Sequence, residues 1–228
     1  MRLEAVFTAG ERHWSVSDLP HPLSLDELLP AGGDWEVEIG FGKGRYLLRR
    51  ALELPQRRFL GVEVVSKYFH LLRRRGRHWG ANNLLLARGE ALYLLSALLP
   101  PAFATRLHVY FPDPWPKARH HRRRLFDPET VDLVLGVLRP GGTLCFATDF
   151  LDYGEQVKEI LEAYPRLTVE PRDEPWPDGA RTNYEAKYIA EGRPILRLEA
   201  SLAPDAEPGA LHPEGRAGIL AATAKRPE

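Results

Sequence analysis

The chain has 228 residues, with 31 Lys and Arg against 31 Asp and Glu, so any affinity for a polyanion must come from a local patch. Its one cysteine, Cys145, excludes an internal disulfide framework and a cysteine-based zinc site. No apolar run is long enough to span a membrane and the N-terminus lacks a signal-peptide core, so a cytoplasmic protein with one sizeable core is expected.

Apolar, β-prone runs alternate with helical patterns, which predicts a mostly parallel α/β sheet. Residues 1–29 are set apart as an N-terminal segment. A first strand is predicted over 35–39, breaking at Gly40, with a helix over about 45–53. Residues 58–63 read as the second strand, after which Ser66 is expected to cap a helix to about residue 78. The third strand falls at 83–87 with a helix at about 91–99. The fourth, 107–111, precedes a helix over 128–138 that Pro140-Gly141-Gly142 should end. The fifth strand, 143–148, leads into a helix over 151–164. Beyond it, 167–170 and 186–202 read as strands without a long helix between them, an antiparallel edge pair. The main domain is thus 30–202, and 203–228, rich in Ala, Pro, Gly and Glu, is expected to be a mobile tail.

Glu38-Ile39-Gly40-Phe41-Gly42-Lys43-Gly44 sits between the first strand and first helix, where glycines let backbone approach a ligand. The spacing is one residue short of the dinucleotide pattern and lacks the Ser/Thr of a phosphate-binding loop. Glu63 ends the next strand about 20 residues on, where an acid accepts ribose hydroxyls. Glu90 follows the third strand, where a polar side chain can meet an adenine edge. Glu38, Glu63, Glu90 and Asp113 therefore all project from strand ends toward one edge of the sheet. Clustered carboxylates repel a pyrophosphate but suit a cation. S-adenosylmethionine carries a sulfonium and an ammonium, and its carboxylate can rest at the first helix N-terminus. The charge balance favours it over a nicotinamide dinucleotide.

Residues 106–125, RLHVYFPDPWPKARHHRRRL, join an apolar run to a proline-stiffened turn holding Asp113 beside Trp115. Prolines fix φ and withhold donors, so a strand must end here at a rigid loop. Lys117, Arg119, Arg122, Arg123 and Arg124, interleaved with His120 and His121, follow at once and can hold phosphates. An acid on a stiff loop beside a cationic run points to an enzyme acting on nucleic acid. His120 and His121 are adjacent and point apart, so no metal site is expected. Cys145 reads as an inert buried residue, and Trp14, Trp35, Trp79 and Trp176 as packing.

Together these motifs resemble the bacterial tRNA (guanine-N7-)-methyltransferases, which modify a guanine in the tRNA variable loop. The shared pieces are EIGFGKG at 38–44, GVE at 61–63, PDPWPKARHHRRRL at 112–125, TDF at 148–150 and RTNYEAKYIAEG at 181–192. The resemblance implies a Rossmann-like class I methyltransferase fold: a mostly parallel seven-stranded sheet, an antiparallel edge strand, and helices on both faces. It implies S-adenosyl-L-methionine as cofactor, tRNA as partner with guanine 46 as target, and neither metal nor membrane; monomer and homodimer both stay open. Carried over by motif, Glu38, Gly40, Gly42, Gly44, Glu63, Glu90 and Asp113 would line the cofactor pocket. Lys117, Asp149, Thr182, Asn183, Tyr184 and Glu185 would face the substrate, and Arg119, His120, His121, Arg122, Arg123 and Arg124 would touch RNA. The family usually has Asp or Asn where Glu90 stands.

Guanine N7 has a lone pair and no proton at neutral pH, so its attack needs no general base. Asp113 would then be catalytic by positioning, accepting both N–H groups of the opposite guanine edge; Glu185 or Asp149 could take that role instead. Trp115 or Tyr184 could stack on the base. A non-catalytic RNA-binding scaffold and a nicotinamide oxidoreductase are the competing readings.

Overall fold

The computed structural model describes residues 2–7, 10–29, 32–128 and 130–206. Its strands are β1 (Arg2–Phe7), β2 (Gly10–Ser15), β3 (Trp35–Ile39), β4 (Arg58–Glu63), β5 (Leu84–Arg88), β6 (Ala104–Tyr110), β7 (Leu138–Thr148), β8 (Leu167–Pro171) and β9 (Leu196–Leu202). The helices are α1 (Leu25–Leu28), α2 (Arg45–Glu53), α3 (Ser66–Trp79), α4 (Ala91–Tyr93), α5 (Val131–Leu135), α6 (Leu151–Glu162) and α7 (Asn183–Ala190). One sheet joins all nine strands in the order β2-β1-β5-β4-β3-β6-β7-β9-β8. The five strands from β5 to β7 run parallel, while β1, β9 and their outer partners pair antiparallel. Strand order reverses between β3 and β6, which opens a crevice at the carboxyl ends of those strands.

Side chains alternate across the sheet with period two, as pleating requires. Leu60, Val62, Leu85, Ala87, Val37 and Val109 join the core under α4, α5 and α6. Phe59, Leu84 and Leu86 face the other way, against Leu47 and Leu48 of α2 and Phe69 and Leu72 of α3. The same parity turns Glu36, Glu38, His108 and Tyr110 toward the α2 face, so acids are built into a buried surface. Gly61 is small for the same reason: a Cβ there would stand 2.4 Å from Leu47 Cδ2.

The structure departs from the sequence reading at five places. Residues 2–7 and 10–29 pack on the sheet: β1 pairs with β5, and Leu3, Val6, Leu23 and Leu29 are buried. The sheet thus has two strands more than the seven expected. Ser66 opens α3 without capping it; Val65 holds the cap position. The 91–99 helix is three α-helical residues continued by a wider turn over Leu94–Leu98. The helix expected over 128–138 shrinks to α5, because Pro140-Gly141-Gly142 loops out within β7. Finally, the strand expected over 186–202 splits into α7 and β9. Thr182 Oγ1 accepts from Glu185 N at 3.0 Å, which starts a helix by the threonine half of a capping box, while the Glu185 carboxylate accepts from Arg181 N instead. Of the tail, residues 203–206 stay on the domain, with Ala203 N donating to Arg166 O at 2.9 Å; 207–228 lie outside the described residues.

If the N-terminal hairpin is structural, Leu3→Ala removes a fully buried side chain and should lower stability by about 2–5 kcal/mol in a denaturant titration. An unchanged midpoint would mean that the hairpin folds apart from the core.

Candidate active site

At the strand-order reversal lies a cavity of about 380 Å³, within the range of small-ligand sites. Its floor is Ile39, Gly40, Val62 and Val109; Gly42, Glu63, Glu90 and Asp113 form the walls, and Tyr68, Trp115, Arg123 and Tyr184 the rim. A larger hollow of about 560 Å³ lies at the opposite strand ends, lined by Asp26, Trp35, Arg58 and Arg139. There Arg58 pairs with Asp26 and Arg139 with Asp34, so the charges answer one another and no reactive group is presented.

Gly40 and Gly42 take left-handed φ of 74° and 53°, and a Cβ on either would project into open space. They form a cradle that a side chain would fill. Gly44 has a different task. It is buried outside the cavity, and a Cβ there would meet Leu72 Cδ1 at 2.6 Å, so its smallness lets α2 seat against α3. Glu63 Oε2 accepts from Gly42 N and its Oε1 from Val65 N, each at 2.8 Å. One carboxylate thereby pins the glycine loop to the start of α3 and keeps a lone pair on each oxygen. Glu90 Oε2 accepts from Tyr93 N at 3.0 Å and caps α4, and the residue lines the cavity.

Glu38 is 2% exposed and lies behind the glycine loop rather than in the cavity wall. Burial pushes its carboxyl up to about 8; Glu63 adds to this, while His108, the Leu47 amide and Arg181 oppose it. Its Oε2 is buried with no hydrogen-bond partner among the described residues. Glu36, two residues back, behaves oppositely. Burial would raise it, but His108 and Arg50 more than offset that and hold it at about 2.

The proline loop is strained. Phe111 and Trp115 hold φ of 53° and 42°, conformations that cost a non-glycine residue on the order of 1–3 kcal/mol. Arg124 supports it: its Nε donates to Pro114 O at 2.7 Å, its Nη1 to Gln156 Oε1, and it lies over the Tyr153 ring at 4.7 Å. At 4% exposure Arg124 is therefore a buttress and not a phosphate contact, contrary to the sequence expectation. Arg123 is exposed, with its guanidinium 4.9 Å from the Trp115 ring centre, and His120 meets the same ring edge-on at 5.8 Å. Lys117 and Arg119 are exposed and His121 is half-buried. The Arg122 side chain lies outside the described residues.

The T-N-Y-E quartet divides. Asn183 and Tyr184 are exposed, and Tyr184 reaches the cavity rim with Phe111 and Tyr188 behind it. Thr182 is the α7 cap. Glu185 is fully buried, accepting from Arg197 Nε and Arg181 N at 2.8 Å each, so it has no edge to offer a base. Asp149 pairs with Arg193 at 3.5 Å and does not line the cavity. Sequence reasoning missed Arg181, whose guanidinium lies 3.9 Å over the Trp176 ring and donates to Tyr110 Oη at 2.6 Å, tying α7 to the end of β6. It also missed Phe111 and Tyr68, whose only signal was their place beside strand ends.

Residues 34–198 match a family described as putative methyltransferase. A tRNA (guanine-N(7)-)-methyltransferase of Nitrosococcus oceani is 37% identical over 186 residues, covering 79% of this chain and 78% of that protein. The chain belongs to the tRNA (guanine-N7-)-methyltransferase family. Among solved structures, the 16S rRNA methyltransferase KamB superposes with a TM-score of 0.62 at 15% identity, covering 88% of this chain and 100% of that one. A 16S rRNA (adenine(1408)-N(1))-methyltransferase variant from Catenulisporales acidiphilia, solved with its cosubstrate SAM, gives 0.58 at 14%, covering 90% and 99%. These two likenesses concern the fold, which is that of class I methyltransferases.

The residues present fit the cofactor of such a family. The open glycine cradle, the spare lone pairs of Glu63 and the unpartnered oxygen of Glu38 suit a ligand that is cationic at one end and rich in hydroxyls at the other. Among the described residues no cluster of His, Cys, Asp and Glu could hold a metal ion, and no helix is long and apolar enough to cross a membrane.

Because folding raises the Glu38 pKa from 4.5 to about 8, the folded chain keeps a proton that the unfolded chain releases over that interval. Stability from this group is complete below pH 4.5 and is lost as pH rises through about 8. Glu38→Gln cannot ionise, so denaturant titrations should show wild type falling behind the variant by a few kcal/mol between pH 5 and 8. Parallel pH curves would refute the assignment. At the loop, Arg124→Gln should cost about 1–3 kcal/mol of stability through lost buried hydrogen bonds, whereas Arg123→Gln should stay within about 0.5 kcal/mol of wild type. Equal losses in thermal melts would contradict the division between buttress and surface.

Proposed function

We propose that this cytoplasmic enzyme transfers the methyl group of S-adenosylmethionine to N7 of guanine 46 in the tRNA variable loop, giving 7-methylguanosine. The observation that carries this reading is the convergence, at one cavity, of the carboxylates Glu63, Glu90 and Asp113 with an aromatic rim and the cationic turn Ala118–Arg123. When bound, S-adenosylmethionine supplies an electrophilic methyl group on a sulfonium. Gly40 and Gly42 give its chain room, Glu63 accepts the ribose hydroxyls, Glu90 meets the adenine edge, and the α2 N-terminus favours its carboxylate.

Asp113 is exposed at the cavity wall, and it remains as the guanine acceptor once Glu185 and Asp149 are committed to arginines. A carboxylate there accepts the N1–H and N2–H of guanine together, which turns the opposite N7 edge toward the cofactor side. No proton leaves N7, so Asp113 orients and does not abstract. Tyr184, backed by Phe111, and Trp115 offer faces on which a base drawn out of its stack can rest. Lys117, Arg119 and Arg123 supply phosphate contacts. Catalysis then rests on proximity and alignment, since positive charge moves from sulfur to the base without net creation.

The purified chain, incubated with labelled cofactor and unmodified tRNA, should yield 7-methylguanosine at position 46 on nucleoside and fragment analysis. Asp113→Asn should lower kcat/KM by about 10- to 100-fold, the worth of hydrogen bonds to a charged group, with cofactor affinity kept. Glu63→Gln should instead weaken cofactor binding. A methyl group on another atom would refute the reaction, and an Asp113→Asn variant turning over like wild type would refute the assigned role. No transfer to any tRNA would favour an RNA-binding scaffold.

A further inference from the structure

Helix α3 carries more positive charge than the cavity beside it uses. Its fourteen residues include Lys67, His70, Arg73, Arg74, Arg75, Arg77 and His78, and no acid. Two of these are turned to structural tasks: Arg73 pairs with Glu4 at 3.2 Å, and Arg75 Nη1 donates to Lys43 O at 2.9 Å. Lys67, Arg74 and His78 are exposed, and their spacing puts them in one row on a helix with 3.6 residues per turn. Neither Lys67 nor Arg74 has a carboxylate partner among the described residues. A surface hollow of about 340 Å³ runs beside the row, walled by His70 and Arg74 among others.

The row starts and ends meaningfully. At its start, Tyr68 of the same helix and the capping Val65 line the active-site cavity. At its end, Trp79 is 61% exposed, with its ring edge-on to His78 at 5.1 Å. Trp79 is thus not the packing residue that the sequence suggested. An indole left in water at the end of a cationic row combines the two things that nucleic acids ask of a surface, charge for phosphates and a flat face for a base. From Lys67 to Trp79 the helix rises about 18 Å.

We propose that α3 is a second tRNA contact, with Lys67, Arg74 and His78 along the phosphates of one strand and Trp79 stacked on an unpaired base. The turn Ala118–Arg123 would grip the RNA on the other side of the cavity, so the target guanine enters between two cationic arms. This inference rests on the proposed tRNA methylation and deepens it.

Two variants of the full chain test it: the combined Lys67→Gln, Arg74→Gln, His78→Gln variant, and Trp79→Ala. Binding to unmodified tRNA is measured across a salt series, with thermal melts and cofactor titration as controls for folding. The combined variant should flatten the slope of log K against log salt by about two, and Lys67→Arg with Arg74→Lys should leave it as in wild type. Trp79→Ala should weaken binding about tenfold with the slope kept. Both should raise KM for tRNA and spare kcat at saturation. Wild-type slopes and affinities in both variants, with an active parent, would overturn the contact while leaving the reaction intact. Unchanged tRNA affinity in Trp79→Ala together with lost self-association in sedimentation would make Trp79 a protein contact and overturn the stacking. An inactive parent would count against the reaction instead, and the binding series would still decide the contact.

Discussion

A carboxylate taken out of water must be given partners or keep its proton. Among the described residues, Glu4, Glu36, Glu38, Glu63 and Glu185 are all at most 6% exposed, and how each meets that demand organises the molecule. Glu4 takes Arg2 and Arg73, which fastens the N-terminal hairpin to α3. Glu36 takes Arg50, Arg57 and His108, joining α2 and the start of β4 to the centre of the sheet. Glu63 takes two backbone amides and shapes the glycine loop. Glu185 takes Arg197 and the Arg181 amide, which anchors α7 to β9. Glu38 alone keeps an oxygen without a partner, two residues before Gly40 of the cradle.

The same demand fixes what can move. Tyr184 and Asn183 stand on a helix whose first turn is held by Thr182, Glu185 and Arg181. Arg181 is in turn sandwiched over Trp176 and bonded to Tyr110 at the end of β6. The proline loop leaves that same strand end and is braced from beneath by Arg124. The groups proposed to face the base, on α7 and on the proline loop, are therefore carried on segments anchored at the same strand end. For a reaction in which alignment supplies most of the rate, such shared anchoring is the form that catalysis can take in a static fold.

Much of this was legible in the residues. The glycine loop, Glu63 at the next strand end and the Asp113 turn announce themselves because backbone freedom, strand ends and proline stiffness are local properties. What stayed hidden depends on partners far away in the chain. Nothing near Arg124 distinguishes it from Arg123, and the Pro114 carbonyl with Gln156 and Tyr153 on α6 draws one inward while its neighbour stays in water. Glu185 looks like a substrate ligand until Arg197 arrives from β9. The β-prone Tyr188 and Ile189 fell within the strand read over 186–202, although the Thr182 cap, a local signal, was there to be read. The pair β1 and β2 was missed because β1 carries the buried Glu4, whose charge disguises a core position.

A formal net charge of zero thus hides a sorted distribution. The five buried acids are each matched or left beside the glycine loop, whereas the turn Ala118–Arg123 and helix α3 carry bases with no acid in either segment. A uniform mixture with the same totals would present no field beyond a Debye length of about 8 Å at physiological salt. Segregation gives the cavity an anionic wall for a cation and a cationic surround for a polyanion within one small domain. On the proposed function each ligand would meet complementary charge only where it belongs: the surface bases would attract tRNA to the rim, and the carboxylates beneath would repel its phosphates from the cradle while admitting a base edge rich in N–H donors.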